Sequence, residues 1–132
     1  MSTTPDLGIP NIASQQATPE ITHNEAVLML QMLSIGALTI GANDPPVSPV
    51  EGDLHIVGTA PTALSAWDGQ ANKLALYTTS GYRFLPDVDS DGVNIAIGAR
   101  HAGLIKYVQA DALIYVWDGS AWVAYANQLS LP

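Results

Sequence analysis

The sequence predicts an α+β protein: an extended N-terminal arm, one apolar helix, and a small antiparallel β-sheet domain of hairpins. Three observations predict it. Thr22 and Glu25 form a capping-box start that opens an almost uninterrupted apolar run, Ala26 to Ile40. Before that run, Pro5, Pro10 and Pro19 forbid a continuous helix. After it, short stretches rich in β-branched and aromatic residues recur between glycine turns. The resulting division is an anchoring arm over residues 1–21, an apolar oligomerisation helix over 22–42, a Pro-rich linker over 43–50 and a β-rich domain over 51–132.

The arm carries Leu7, Ile9 and Ile12 among polar residues and prolines. A free tail is one reading. Docking onto a neighbouring subunit or onto its own domain, with the three aliphatics as pegs, is the other. In the helix, Ala26, Leu30, Leu33 and Ala37 follow helical spacing, while Val27, Leu28, Met29 and Met32 place apolar surface on the remaining faces. Thr18 followed by Pro19 is an alternative start, and Gly36 suits a left-handed terminating position. A helix apolar nearly all round is buried on all sides. This expectation makes Val27, Met29, Leu30, Met32 and Leu33 interface residues between subunits. The alternative is a central helix wrapped by its own sheet.

In the β-rich part, 53–58 reads as a first strand. Residues 73–77 and 82–85 read as a hairpin around Thr79, Ser80 and Gly81. Residues 93–97 alternate and read as a further strand, as do 104–108, 113–117 and 121–125, the last two joined at Asp118-Gly119. The hairpins echo each other, each an apolar strand, an aromatic, a glycine turn and a returning aromatic strand. Trp67-Asp68-Gly69 repeats Trp117-Asp118-Gly119 without clear flanking strands.

Composition narrows function. Hydrophobic residues are 48% of the 132 and charged residues only 12%, about half the usual charged share of roughly 25%. A short chain with so little polar cover points to an oligomer or a subunit of a larger particle. Net charge is −8, and Lys73, Arg83, Arg100 and Lys106 form no basic patch. Nucleic acid and anionic membrane surfaces are therefore not expected partners. The absence of cysteine excludes disulfides and thiolate metal sites. The N-terminus does not read as a signal peptide, and the apolar run falls short of the roughly 20 residues of a membrane span.

Several motifs recur as a set. They are Asp6-Leu7-Gly8-Ile9-Pro10, Ser14-Gln15 and Thr22-His23-Asn24-Glu25-Ala26. Glu51-Gly52-Asp53 follows, leading to Ile56-Val57-Gly58, then Trp67, Gly69 and Lys73, and finally Tyr115-x-Trp117-Asp118-Gly119-x-x-Trp122-Val123. In order and spacing this set resembles a domain family of unassigned function found in tailed bacteriophages and gene transfer agents, mostly of alphaproteobacteria. There it often forms the N-terminal part of fibre or spike proteins. The resemblance covers roughly residues 5–125; residues 87–101 look like an insertion. No long shaft follows before Pro132, which implies a short fibre, or a base to which another protein attaches. The resemblance implies a structural protein located in the virion and contacting portal, tail or capsid proteins; a homotrimer is the expected assembly, with the apolar helices of several subunits meeting on an axis. A capsid decoration protein is the alternative within virions, and a carbohydrate-binding host-attachment module is the alternative of another class.

Chemistry is sparse. Asp87, Asp89, Asp91 and Gly92 have the spacing of the first half of a calcium loop, but the twelfth position is Gly98, where an EF-hand places a bidentate Glu. A solvated acidic turn is the plainer reading, and no cofactor is expected. His23 and Glu25 lack the paired cysteines of a deaminase zinc motif. His55 and His101 have no evident ligand partners, and neither a nucleophile elbow nor a phosphate-binding glycine loop occurs, so no enzyme is expected. Trp67 and Trp122 are the candidate glycan contacts. In a sheet this small, however, most aromatics must serve the core.

Overall fold

A computed structural model describes residues 2–11 and 19–125. The fold is α+β, as the sequence predicts. A two-stranded hairpin of β1 (Ser2–Thr3) and β2 (Pro10–Asn11) precedes one helix, α1 (Pro19–Ser34). Next come β3 (Thr39–Ile40), β4 (Leu54–Ile56), β5 (Leu74–Thr78) and β6 (Gly81–Leu85), which form a sheet in that order with β3 parallel to β4 and the rest antiparallel. After a 3-10 turn at Ala99–His101, β7 (Ile105–Val108), β8 (Leu113–Trp117) and β9 (Trp122–Ala124) make a separate antiparallel sheet.

Residue alternation along the strands explains the layering. Leu54, Ile56, Leu74, Leu76 and Leu85 all point toward α1, where they bury Met29 and Met32. The intervening positions point the other way. There Val57, Ala75, Tyr82 and Phe84 close around Trp67, which the loop after β4 folds across the sheet. The four-stranded sheet is thus covered on both faces, which is why 54–57 and 73–76 are buried at every position. Residues 37–40 stitch the two sheets together. The Ala37 N–H donates to Tyr107 O at 2.8 Å and the Leu38 N–H to Leu54 O at 2.7 Å.

Several expectations need correction. The helix spans Pro19–Ser34, not 22–42. Proline stands at the first helical position, where its missing N–H costs nothing; Thr18 and Ile12 lie outside the described residues. The start at Pro19, the alternative the sequence offers, puts Thr22 inside the helix and not at its cap, and Glu25 pairs with Arg83 on the helix-facing side of β6. Gly36 is not in a left-handed conformation. Its role is close approach: a Cβ there would lie 3.0 Å from Tyr107 O. Residues 93–97 form no strand. A single bridge joins Val88 to Asn94, and the exposed Asn94 accepts from Lys73 Nζ at 2.7 Å.

The arm docks onto its own chain. Thr3 Oγ1 donates to Val88 O at 3.1 Å, and the Asp87 N–H donates to Leu7 O at 2.9 Å. His101 Nδ1 accepts the Gly98 N–H, so Nε2 carries the proton and donates to Asp6 O at 2.6 Å. Gly8 is required here twice over: its φ is +72°, and a Cβ would fall 2.4 Å from Val88 O. Leu7 and Ile9 pack on the main core. As pegs they pack within the same molecule, while residues 87, 88 and 101 hold the arm's backbone and Thr3 by hydrogen bonds.

Candidate assembly surfaces

The helix was expected to offer a second apolar face to another subunit. The structure divides those residues. Met29 and Met32 are fully buried within the chain and cannot meet a partner. Leu33 is half-buried against the same core. Val27 and Leu30 do face solvent, 49% and 50% exposed, together with Ile21. Around them stand His23, Asn24, Gln31 and Ser34, also exposed. This outward stripe is mixed, as on an ordinary surface helix.

The β7–β8–β9 sheet differs. In an antiparallel pair, directly opposed residues share a face. On the inner face Lys106 opposes Tyr115, Val108 opposes Leu113 and Trp117 opposes Trp122. The two tryptophan rings lie 5.7 Å apart, and Tyr77 and Tyr82 clasp the other hairpin at 5.2 Å, so the echoed hairpins are closed by directly opposed aromatics. On the outer face Ile105 opposes Val116, Tyr107 opposes Ile114, and Val116 opposes Val123. The register continues through the Tyr125 N–H, which donates to Ile114 O at 2.8 Å. All six outer positions, Ile105, Tyr107, Ile114, Val116, Val123 and Tyr125, are aliphatic or aromatic. Five of them are 41–60% exposed.

Sequence reasoning missed this face. The signal was present: residues 113–117, Leu-Ile-Tyr-Val-Trp, are apolar at consecutive positions instead of alternating, which is the pattern of a strand covered on both faces.

The basic residues are all engaged inside the chain. Lys73 is buried and donates to Asn94. Lys106 is buried and reaches Ile35 O at 2.5 Å, at the C-terminal end of α1, where the helix dipole favours a cation. Burial lowers both ammonium groups to about 8, the nearby Asp87 carboxylate partly opposing this for Lys73. Arg83 pairs with Glu25, and Arg100 with Asp6 at 3.1 Å. Burial raises Asp87, against the pull of Lys73 and Arg83.

The remaining candidate residues are scattered. Asp87, Asp89 and Asp91 do not converge. Asp87 faces Lys73 and Arg83, Asp89 Oδ1 accepts the N–H groups of Asp91 and Val93, and Asp91 is exposed. Among the described residues no group of three or more His, Asp or Glu is placed to hold a metal ion. Trp67 is 0% exposed, so its ring offers no sugar-stacking face. Trp122 is half-buried against Trp117, and its Nε1 donates to Asn72 O at 2.8 Å. A cavity of about 290 Å³ lies between the arm and the first turns of α1, walled by Pro10, Ile21, Met29 and Val88 with Glu25 and Arg83 paired at its side. His55 is buried, with Nδ1 2.8 Å from Thr39 Oγ1, and burial lowers its pKa despite Asp53. Among the described residues no helix is long and apolar enough to cross a membrane.

Within the motif set, Gly8 seats the arm, Glu25 holds Arg83, and Trp67, Lys73 and Trp117 are core, while Ser14-Gln15 lies outside the described residues. No curated protein and no solved structure matches the chain. A family model described as "Protein of unknown function (DUF2793)" matches residues 23–123, from the second turn of α1 through β9. With that match covering most of its length, the chain belongs to the DUF2793 family of proteins of unknown function.

Proposed function

We propose that this chain is a structural assembly module of a tailed-phage particle, a short fibre or spike or the base on which a fibre stands, and not an enzyme. The observation that carries this reading is the uncharged outer face of the β7–β8–β9 sheet, on a chain whose four cations all have internal partners. Such a surface favours association through apolar contact over recognition of charged ligands. The motif resemblance supports the virion setting, with a homotrimer as the assembly and portal, tail or capsid proteins as neighbours. Because Leu7 and Ile9 pack in their own chain, attachment to the particle falls to surfaces other than those pegs.

The test is to tag the protein in a particle-producing host and purify particles through a density gradient. The module is expected to band with the particles at a fixed stoichiometry. Its absence from intact particles would overturn the reading.

A further inference from the structure

We infer that the outer face of the β7–β8–β9 sheet is the contact between copies of this chain, the sheet faces of neighbouring copies meeting about the axis of the assembly. The inference rests on the assembly reading above and names its partner.

Three observations lead to a second copy. The first is charge. A chain at −8 repels its own copies, and none of its four basic residues lacks a partner inside the chain. Of the four, only Arg100 stands exposed, and it is already paired with Asp6, so copies have little basic surface to set against acidic surface. Contact where charge is absent is favoured, and Ile105, Tyr107, Ile114, Val116, Val123 and Tyr125 form such a place. A basic partner, by contrast, would gain nothing from this face.

The second is area. Half-exposed, these side chains present roughly 400 Å² of apolar surface per copy. A standard interface takes about 800 Å² from each partner, somewhat more than half of it apolar. One sheet face therefore supplies about the apolar share that a stable pairwise contact requires.

The third is rigidity. The face is backed by the Trp117–Trp122 pair, by Val108 in the main core and by Lys106 bound to the helix end. At its edge Tyr107 packs against Gly36. Little side-chain or backbone ordering is left for association to impose, which lowers its entropic cost. The two exposed tyrosines also bring hydroxyls that can hydrogen-bond at the rim of an interface.

Sedimentation velocity of the purified chain from about 1 to 100 μM, with the double variant Ile114→Asp, Val123→Glu beside it, tests this. The native chain is expected to be oligomeric. The variant is expected to raise the dissociation constant at least about 100-fold, with the near-ultraviolet signal of the inner tryptophans retained. Should the double variant fail to fold, Tyr125→Lys, one residue beyond β9, is expected to weaken association about tenfold. A native chain that remains monomeric at 100 μM overturns the inference. So does a folded variant that associates as tightly as the native chain. These outcomes are separable from the virion reading: a monomer that still bands with particles removes the copy–copy contact alone. An oligomer absent from particles removes the virion assignment and leaves the contact standing.

Discussion

The helix and the three-stranded sheet both show aliphatic side chains to water, but their outward faces differ in kind. On α1, Ile21, Val27 and Leu30 are separated by His23, Asn24 and Gln31, so each sits in a polar setting. On the β7–β8–β9 sheet no polar residue interrupts the six outer positions. The cause lies in what each element does with its opposite face. The helix turns Met29 and Met32 into the core and leaves a mixed apolar and polar remainder outside. The sheet is apolar on both faces, and the described residues cover only the inner one. The lesson is that total apolarity of an element says less about assembly than how its apolar positions divide between faces.

The comparison can be broken most sharply by moving one charge between the two faces. Val123→Glu is expected to weaken self-association by about 2–3 kcal/mol, read as a rightward shift of the sedimentation isotherm. Leu30→Glu is expected to change it by less than about 0.5 kcal/mol. Similar shifts for the two would remove the distinction.

A second effect comes from beneath the sheet. Lys106 sits buried between β7 and the end of α1, lowered to about 8 from 10.5. Below pH 8 both folded and unfolded chains hold the proton, and the cost of burying the ammonium is fully present. Between about pH 8 and 10.5 the unfolded chain binds more protons, so stability rises with pH. Lys73 adds a rise of the same sign. Denaturant midpoints at pH 7.5 and 9.5, below the range where the raised Tyr82 and Tyr115 reverse the trend, are expected to show it. Lys106→Met should remove about 1–2 kcal/mol of that rise. An unchanged slope would mean the ammonium is solvated.

The junction of the two regions is a smaller test. Gly36→Ala puts a Cβ 3.0 Å from Tyr107 O and 3.7 Å from its ring. About 1 kcal/mol of destabilisation is expected, with a few-fold loss of association as Tyr107 shifts. Smallest of all is the response to salt. Raising it from 50 to 500 mM screens repulsion between acidic copies and strengthens association a few-fold. Weakening by salt would point instead to ion pairs across the contact.

Much of this architecture was legible in the sequence. Opposed aromatics and glycine turns marked both hairpins, and β5–β6 and β8–β9 lie where those signals place them. The arm's prolines correctly excluded helix at 2–11. Position 93–97 misled because its alternation matches a strand, whereas Asn94 is held by the buried Lys73, a long-range partner no local window contains. The helix boundary misled because the Thr22–Glu25 spacing is a valid local cap, whereas the helix takes the alternative start at Pro19 and Glu25 pairs with Arg83 of β6, 58 residues later. The candidate surface was half visible. Low charge announced that copies or partners must cover something, but 113–117 reads from sequence only as a hairpin strand, and only the register divides it into an inner and an outer set.

Cysteine is absent from the chain, so a single introduced thiol reports on one place. Maleimide labelling of Val123→Cys and Leu30→Cys, each at about 1 and 100 μM protein, therefore compares the two faces directly. If the sheet face joins copies, labelling at 123 slows at least about tenfold at the higher concentration while labelling at 30 keeps its rate. Protection at 30 with none at 123 would contradict the account.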